Sequence, residues 1–307
     1  MAAPAPPELQ TPAAVLDETE DSLTQTSMQN VHFRVAPGVA LRIRRLRGQM
    51  VSKTPGEPVI FDDKRTFLIR IATADVGLST DDLGNLMNNY VFGYRGAPLK
   101  NLQFAAAGPT RLKQKGVMHK VVDIPFEMTA ELSLTPEGLI RIHPVEMNIC
   151  GIDGQGLLKA LGLELDDLLD LRQAKGATVK GNDLFLDPEK ILPPPAIEGR
   201  ITAVKVEGDE VVQTFGVRSG EPTPKPLSPP DSTALNYMFF GGGTVRFGKL
   251  FMVKTDMQIV DADPSDPFDF SIDEYNRQLV AGYSKNLPDM GLEVFMPDLR
   301  DIEKARD

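Results

Sequence analysis

The chain has 307 residues, 41% hydrophobic and 25% charged, which suits one large or two ordinary soluble domains. A formal net charge of −10 argues against a nucleic-acid binder, because phosphate binding needs a basic field. The single cysteine, Cys150, excludes an intrachain disulfide, and three scattered histidines (His32, His119, His143) argue against a zinc site.

Residues 1–30, rich in Pro, Ala, Thr and acids, read as a flexible N-terminal tail. They lack a basic n-region and an apolar h-region, so they are not a signal peptide as written. A start placed after a removed signal and a cytoplasmic start both fit. No run of eighteen apolar residues occurs, so no transmembrane helix is expected.

A first domain is expected over 31–216. Val39, Leu41 and Ile43 alternate with Ala40, Arg42 and Arg44, as in a half-buried strand. The basic run Arg42, Arg44, Arg45, Arg47 reads as the solvated face of that strand, with anionic headgroups or a partner as the competing reading. Phe67, Ile69 and Ile71 alternate, and then the phase slips to Ala72, Ala74, Val76 and Leu78, which predicts a bulge. Ser79, with Asp82 three residues on, resembles a capping box ahead of a helical stripe of Leu83, Leu86, Met87 and Tyr90.

Two more strands are expected in LKNLQFAAA and GVMHKVVDI. They lead into a long hairpin. Phe126, Met128, Ala130, Leu132 and Leu134 share one face, Thr135-Pro136-Glu137-Gly138 suits a tight turn, and Ile140 and Ile142 begin the return. At His143-Pro144 the phase slips to Val145, Met147 and Ile149, which places a second bulge there, since proline cannot donate to a ladder.

A helix should follow, with Leu157, Leu158, Leu161, Leu165, Leu168 and Leu169 on one face and Gly176 at its stop. Two hairpins come next, turning at Gly181-Asn182-Asp183 and Glu207-Gly208-Asp209. Residues 217–233 read as a Pro-rich linker and 234–307 as a small C-terminal β/α section. The fold class is α+β: a long curved antiparallel sheet packed on a few amphipathic helices, with a smaller C-terminal β-rich section.

Constellations for chemistry are thin. Gly151, Gly154 and Gly156 do not have the spacing of a nucleotide-binding loop, and Gly282-Tyr283-Ser284-Lys285 is not a nucleophile elbow. Asp261, Asp263, Asp266 and Asp269 read as turn and cap residues, with calcium as the competing reading. Asp166 and Asp167 read as solvated helix residues, Glu127 and Glu131 as outward polar positions, and Cys150 as a small buried hydrophobe. No enzyme, cofactor or metal is expected. What stands out is strand with a single apolar face carrying Met118, Met128 and Met147, residues that adapt to irregular apolar partners.

The succession VVDIPFEMTAELSLTPEGLIRIHPVEMNICGIDGQGLLKALGLELDDLL resembles the LmeA-like phospholipid-binding proteins of bacteria, distant members of the tubular lipid-binding (TULIP) superfamily. The likeness lies in a long strand, a Thr-Pro-x-Gly turn, a return strand ending in a Gly-Ile step and a Leu-rich helix. It extends over roughly 39–216. The resemblance implies a TULIP-like fold with an apolar groove for acyl chains, a periplasmic or otherwise exported location and no enzymatic activity. Carried over by position, the lining is Phe126, Met128, Leu132, Leu134, Ile140, Ile142, Val145, Met147 and Ile149, with Leu157, Leu161 and Leu165 facing them. The implied partner is a phospholipid or other acyl lipid; the linker and C-terminal section are the expected contacts for envelope proteins. The competing reading is a structural or assembly subunit of a bacterial envelope complex.

Overall fold

The computed structural model describes residues 23–120, 122–217 and 228–305, and for Leu157 and Leu158 the backbone alone. From the N-terminal side, β1 (Thr24–Ala36), β2 (Val39–Ser52), β3 (Val59–Ile60) and β4 (Phe67–Ser79) enter a large sheet. Helix α1 (Thr80–Leu86) and a π-helical turn, Met87–Val91, come next. A small sheet is then built from β5 (Leu99–Ala106), β6 (Arg111–His119), β7 (Asp123–Leu134), β8 (Ile140–Ile149) and β9 (Ile152–Asp153). Helices α2 (Gly154–Leu161) and α3 (Leu165–Leu168) precede its last strands, β10 (Ala177–Lys180) and β11 (Asp183–Leu186).

After α4 (Pro188–Ile191) the chain returns to the large sheet with β12 (Ala196–Glu198), β13 (Ile201–Glu207), β14 (Glu210–Phe215), β15 (Tyr237–Phe247), β16 (Leu250–Asp261) and β17 (Phe268–Ser271). Helix α5 (Tyr275–Ala281), β18 (Tyr283–Asn286), β19 (Leu292–Met296) and α6 (Leu299–Lys304) complete it. The large sheet has twelve strands and the small one seven, and pairing is mostly antiparallel. The α+β class therefore holds. Among the described residues no helix is long and apolar enough to cross a membrane.

The small sheet is an insertion. The chain leaves the large sheet at β4 and returns at β12, which pairs with β4 in parallel. The C-terminal strands are not a section of their own. β15 pairs with β1 antiparallel, and β17 pairs with β1 in parallel. Aromatic packing ties these pieces together, with Phe61 and Phe247 4.3 Å apart between ring centroids and Phe33 stacked on Phe270. The segment read as a tail is likewise strand from Thr24 onward, where Thr24, Thr26 and Met28 are buried. Its polar residues disguise it, because a Thr/Gln/Ser-rich stretch lacks apolar alternation. The expected linker falls partly on 218–227, outside the described residues.

The expected β4 bulge and Ser79 cap are present, but Asp82 does not complete a capping box: its carboxylate accepts from the Ala40 N–H and the Ser79 hydroxyl instead. The pairing of β2 with β4 goes from Arg47↔Thr73 to Gly48↔Ile71, so Ala72 is the bulged residue. Gly48 is required there, since a Cβ would lie 2.2 Å from the Arg70 carbonyl oxygen. Ser79 Oγ accepts from the Asp82 N–H at 3.0 Å, and Leu83, Leu86 and Met87 are buried beneath the cap. Arg42 and Arg44 pair with Glu210, and Arg45 with Asp75, on the outer face of β2.

One face of the large sheet is covered by its own chain. Leu192, Pro193, Pro195 and Ile197 lie against Phe33, Ile43, Ile71 and Phe215 and leave only about 30 Å³.

Candidate functional site

The β7–β8 hairpin provides the wall of the candidate site. Thr129 pairs with Glu146 and Ala130 with Pro144, so Val145 is the extra residue of a bulge. The expected slip is there, but its consequence differs. Pro144, not Val145, takes the inward position between Ile142 and Met147 and is buried, while Val145 is half-buried in the bulge. The freed Pro144 carbonyl accepts from Gln155 Nε2 at 2.9 Å, which seats α2 against β8. Gly154 allows that approach, since a Cβ would come within 2.8 Å of Ile149.

The small sheet curls. Leu99 on one edge strand and Val179 on the other both line one cavity of about 40 Å³. Met118, Phe126, Met128, Ile142, Pro144, Met147, Ile149 and Leu184 form its wall, and Leu165 and Leu169 close it as a cap. Gln114 is its single polar side chain. The cap is fastened to the β10–β11 turn by three hydrogen bonds. Leu165 N–H donates to Asn182 Oδ1 at 3.0 Å, Asp166 N–H to the Gly181 carbonyl at 3.1 Å, and Gly181 N–H to Asp166 Oδ2 at 2.7 Å. On its other side Lys120 Nζ donates to the Asp167 carbonyl at 2.6 Å.

Six of the twelve expected lining residues meet in this cavity: Phe126, Met128, Ile142, Met147, Ile149 and Leu165. Leu132 and Ile140 are buried farther along the hairpin, Leu134 is half-buried, and none of the three touches the cavity. Leu161 is 62% exposed and faces solvent. The reason is a helix break. Gly162 adopts φ +65°, and Glu164 and Asp167 form a reciprocal cap that starts α3 afresh, so the single helix expected here is two short ones. The side chain of Leu157 lies outside the described residues. Met118, Leu169, Leu99, Gln114, Pro144, Val179 and Leu184 complete the lining, and the last five carry no signal by themselves. The alternation of Val179, Leu184 and Leu186 marks a buried face, but only strand pairing brings it to the hairpin. Buried Gln114 and Gly116 also hide the start of β6, which begins at Arg111 rather than Gly116.

Outside the cap lies a groove of about 960 Å³, lined by Tyr94, Pro98, His119, Lys120, Thr178 and the whole of 166–173. It shares Leu169 and Val179 with the cavity, so those two side chains stand between the apolar cavity and a groove lined by polar and apolar residues alike. Its carboxylates are engaged, Asp166 by the Gly181 N–H and the other two within their own segment. Asp167 accepts from the Glu164 N–H at 2.9 Å, and Asp170 is held down to about 2 by hydrogen bonds from the Arg172 side chain and backbone. His119 Nδ1 lies 2.6 Å from Asp123. Burial raises the Tyr94 hydroxyl above its ordinary value, with Asp170 adding to the effect.

Two other expectations change. Cys150 is exposed in a turn at φ +51°, not buried. The carboxylates of 261–269 are structural. Asp261 accepts from Asn236 Nδ2 at 2.9 Å and from the Asp263 N–H at 2.9 Å, and Asp269 takes Arg34 Nε at 2.6 Å and its Nη2 at 2.5 Å. Asp266 pairs with Arg300. No acidic or histidine cluster with metal-binding geometry occurs among the described residues.

Comparison with protein-family models, curated proteins and solved structures returns no match for this chain.

Proposed function

We propose that the small sheet binds the apolar part of an acyl lipid in its cavity while the polar part rests in the adjoining groove. The observation that carries this reading is the shared wall: an almost wholly apolar cavity and a wide groove of mixed polarity, separated by Leu169 and Val179. An amphiphile matches that sequence of environments. The function is non-enzymatic shielding of acyl chains from water, worth about 0.8 kcal/mol for each buried CH₂. The TULIP-like relationship and the location in the bacterial envelope belong to the same proposal and rest on the sequence resemblance.

The cavity of about 40 Å³ is far below the roughly 300–1,000 Å³ of ligand pockets. Loading therefore requires the cap of 165–171 to move aside. The same small volume favours the second reading, an assembly subunit whose dry sheet face is ordinary core. Native mass spectrometry of protein purified from its own membrane-containing source separates the two. A stoichiometric acyl species is the expected result. A clean apo mass with no uptake from liposomes overturns lipid binding in favour of the assembly role.

A further inference from the structure

The cap over the cavity is held unequally on its two sides. Towards the β10–β11 turn it makes three hydrogen bonds, all from or to the backbone of Leu165, Asp166 and Gly181. Towards the β6–β7 turn the one hydrogen bond among the described residues is from Lys120 Nζ to the Asp167 carbonyl. The first side is therefore tied by three bonds and the second by one. The groove spans both sides of the cap, from Thr178 and Val179 to His119 and Lys120, and Lys120 is part of its wall.

Lys120 also differs from its neighbours in its partner. In the groove Arg172 is paired with Asp170, and His119 with Asp123. Among the described residues no carboxylate lies within ion-pair distance of Lys120, whose ammonium is satisfied by a neutral carbonyl. An ammonium binds an anion more strongly than it binds a neutral acceptor. It also has three donors, so it can exchange one partner for another without being stranded.

We infer that Lys120 is both the headgroup-recognition residue and the latch, so that an acyl amphiphile with an anionic headgroup opens the cap by taking Lys120 away from Asp167. This rests on the amphiphile-binding reading and adds the ligand class and the opening step. The headgroup docks in the groove, Lys120 turns to it, the cap swings on its 181–182 hinge, and the chain enters past Leu169. A neutral amphiphile of the same chain has nothing to offer Lys120 and meets a closed cap.

The chain has one thiol, Cys150, exposed directly after the cavity residue Ile149, so a polarity-sensitive fluorophore placed there reports on loading. Oleoyl lysophosphatidate and monoolein are titrated separately into the labelled full chain, with native mass spectrometry to count bound molecules. Exchanging a neutral acceptor for a charged one predicts about tenfold tighter binding of lysophosphatidate. In Lys120→Met the two ligands should bind within about twofold of each other, with monoolein gaining because the latch is gone. Lys120→Arg should restore the preference. If the preference survives unchanged in Lys120→Met, the latch is wrong while the cavity reading stands. If neither ligand binds wild type or Lys120→Met by either measurement, the cavity reading falls and the latch with it.

Discussion

Leu99 and Val179 sit on opposite edge strands of the small sheet, yet both line one cavity. That relationship requires the sheet to curl, and it turns the apolar face of the β7–β8 hairpin from a flat layer into the wall of an enclosed space.

Met128 stands on that wall and is 7% exposed. Met128→Ala should lower stability by about 2–5 kcal/mol in urea unfolding, through lost contacts and the space left behind. If the cavity takes acyl chains, the same variant should bind them more tightly than wild type, because part of the space has been opened in advance. Loss of stability with no gain in uptake would assign Met128 to core alone.

Asp261 predicts a pH dependence. Burial pushes its carboxyl up to about 6, from 3.8 in the absence of folded structure. Between those values the folded state holds the proton and the unfolded chain has released it, so this group's contribution falls as pH rises from about 4 to about 6 and stays level above. The loss is at most about 3 kcal/mol. Asn at 261 keeps the acceptor for the Asp263 N–H and does not titrate. Denaturant unfolding at pH 4 to 8 should show wild type losing stability relative to Asp261→Asn across that window; parallel curves would refute the shifted titration.

Arg34 covers the carboxylate of Asp269, which is 4% exposed. Arg34→Met should leave that charge without its bidentate partner and cost about 3–5 kcal/mol in equilibrium unfolding. The double variant Arg34→Met, Asp269→Asn should recover a large part of the loss. Equal destabilisation in the single and double variants would show that packing of the Arg34 stem matters more than the ion pair.

Ser79 caps α1, the helix that packs beside β5 on the way into the small sheet. Ser79→Ala should cost about 1 kcal/mol in thermal or denaturant unfolding, and Ser79→Asn, whose amide can accept from the Asp82 N–H and donate to the Asp82 carboxylate, should retain the cap. A loss for Ser79→Asn as large as that for Ser79→Ala would mean that Ser79 acts through something other than these two bonds.

Strand faces, two β-bulges, the Ser79 cap and the hairpin turns are legible in the chain alone, because each is written in residues a few positions apart. Period two places Met128 and Ile142 on a buried face whatever the rest of the chain does. Proline at 144 signals a bulge wherever β8 is paired, but the pairing register alone makes Val145 the extra residue and turns Pro144 inward. Gly162 marks a break whose outcome for Leu161 depends on where α3 is pinned. Long-range pairing makes Thr24–Ala36 an inner strand, joins β15 and β17 to it instead of leaving them a separate section, and brings Leu99 and Val179 to one space. Such contacts join residues far apart in the chain, and their free energy comes from burying surfaces that local patterning can mark as apolar but cannot match to partners.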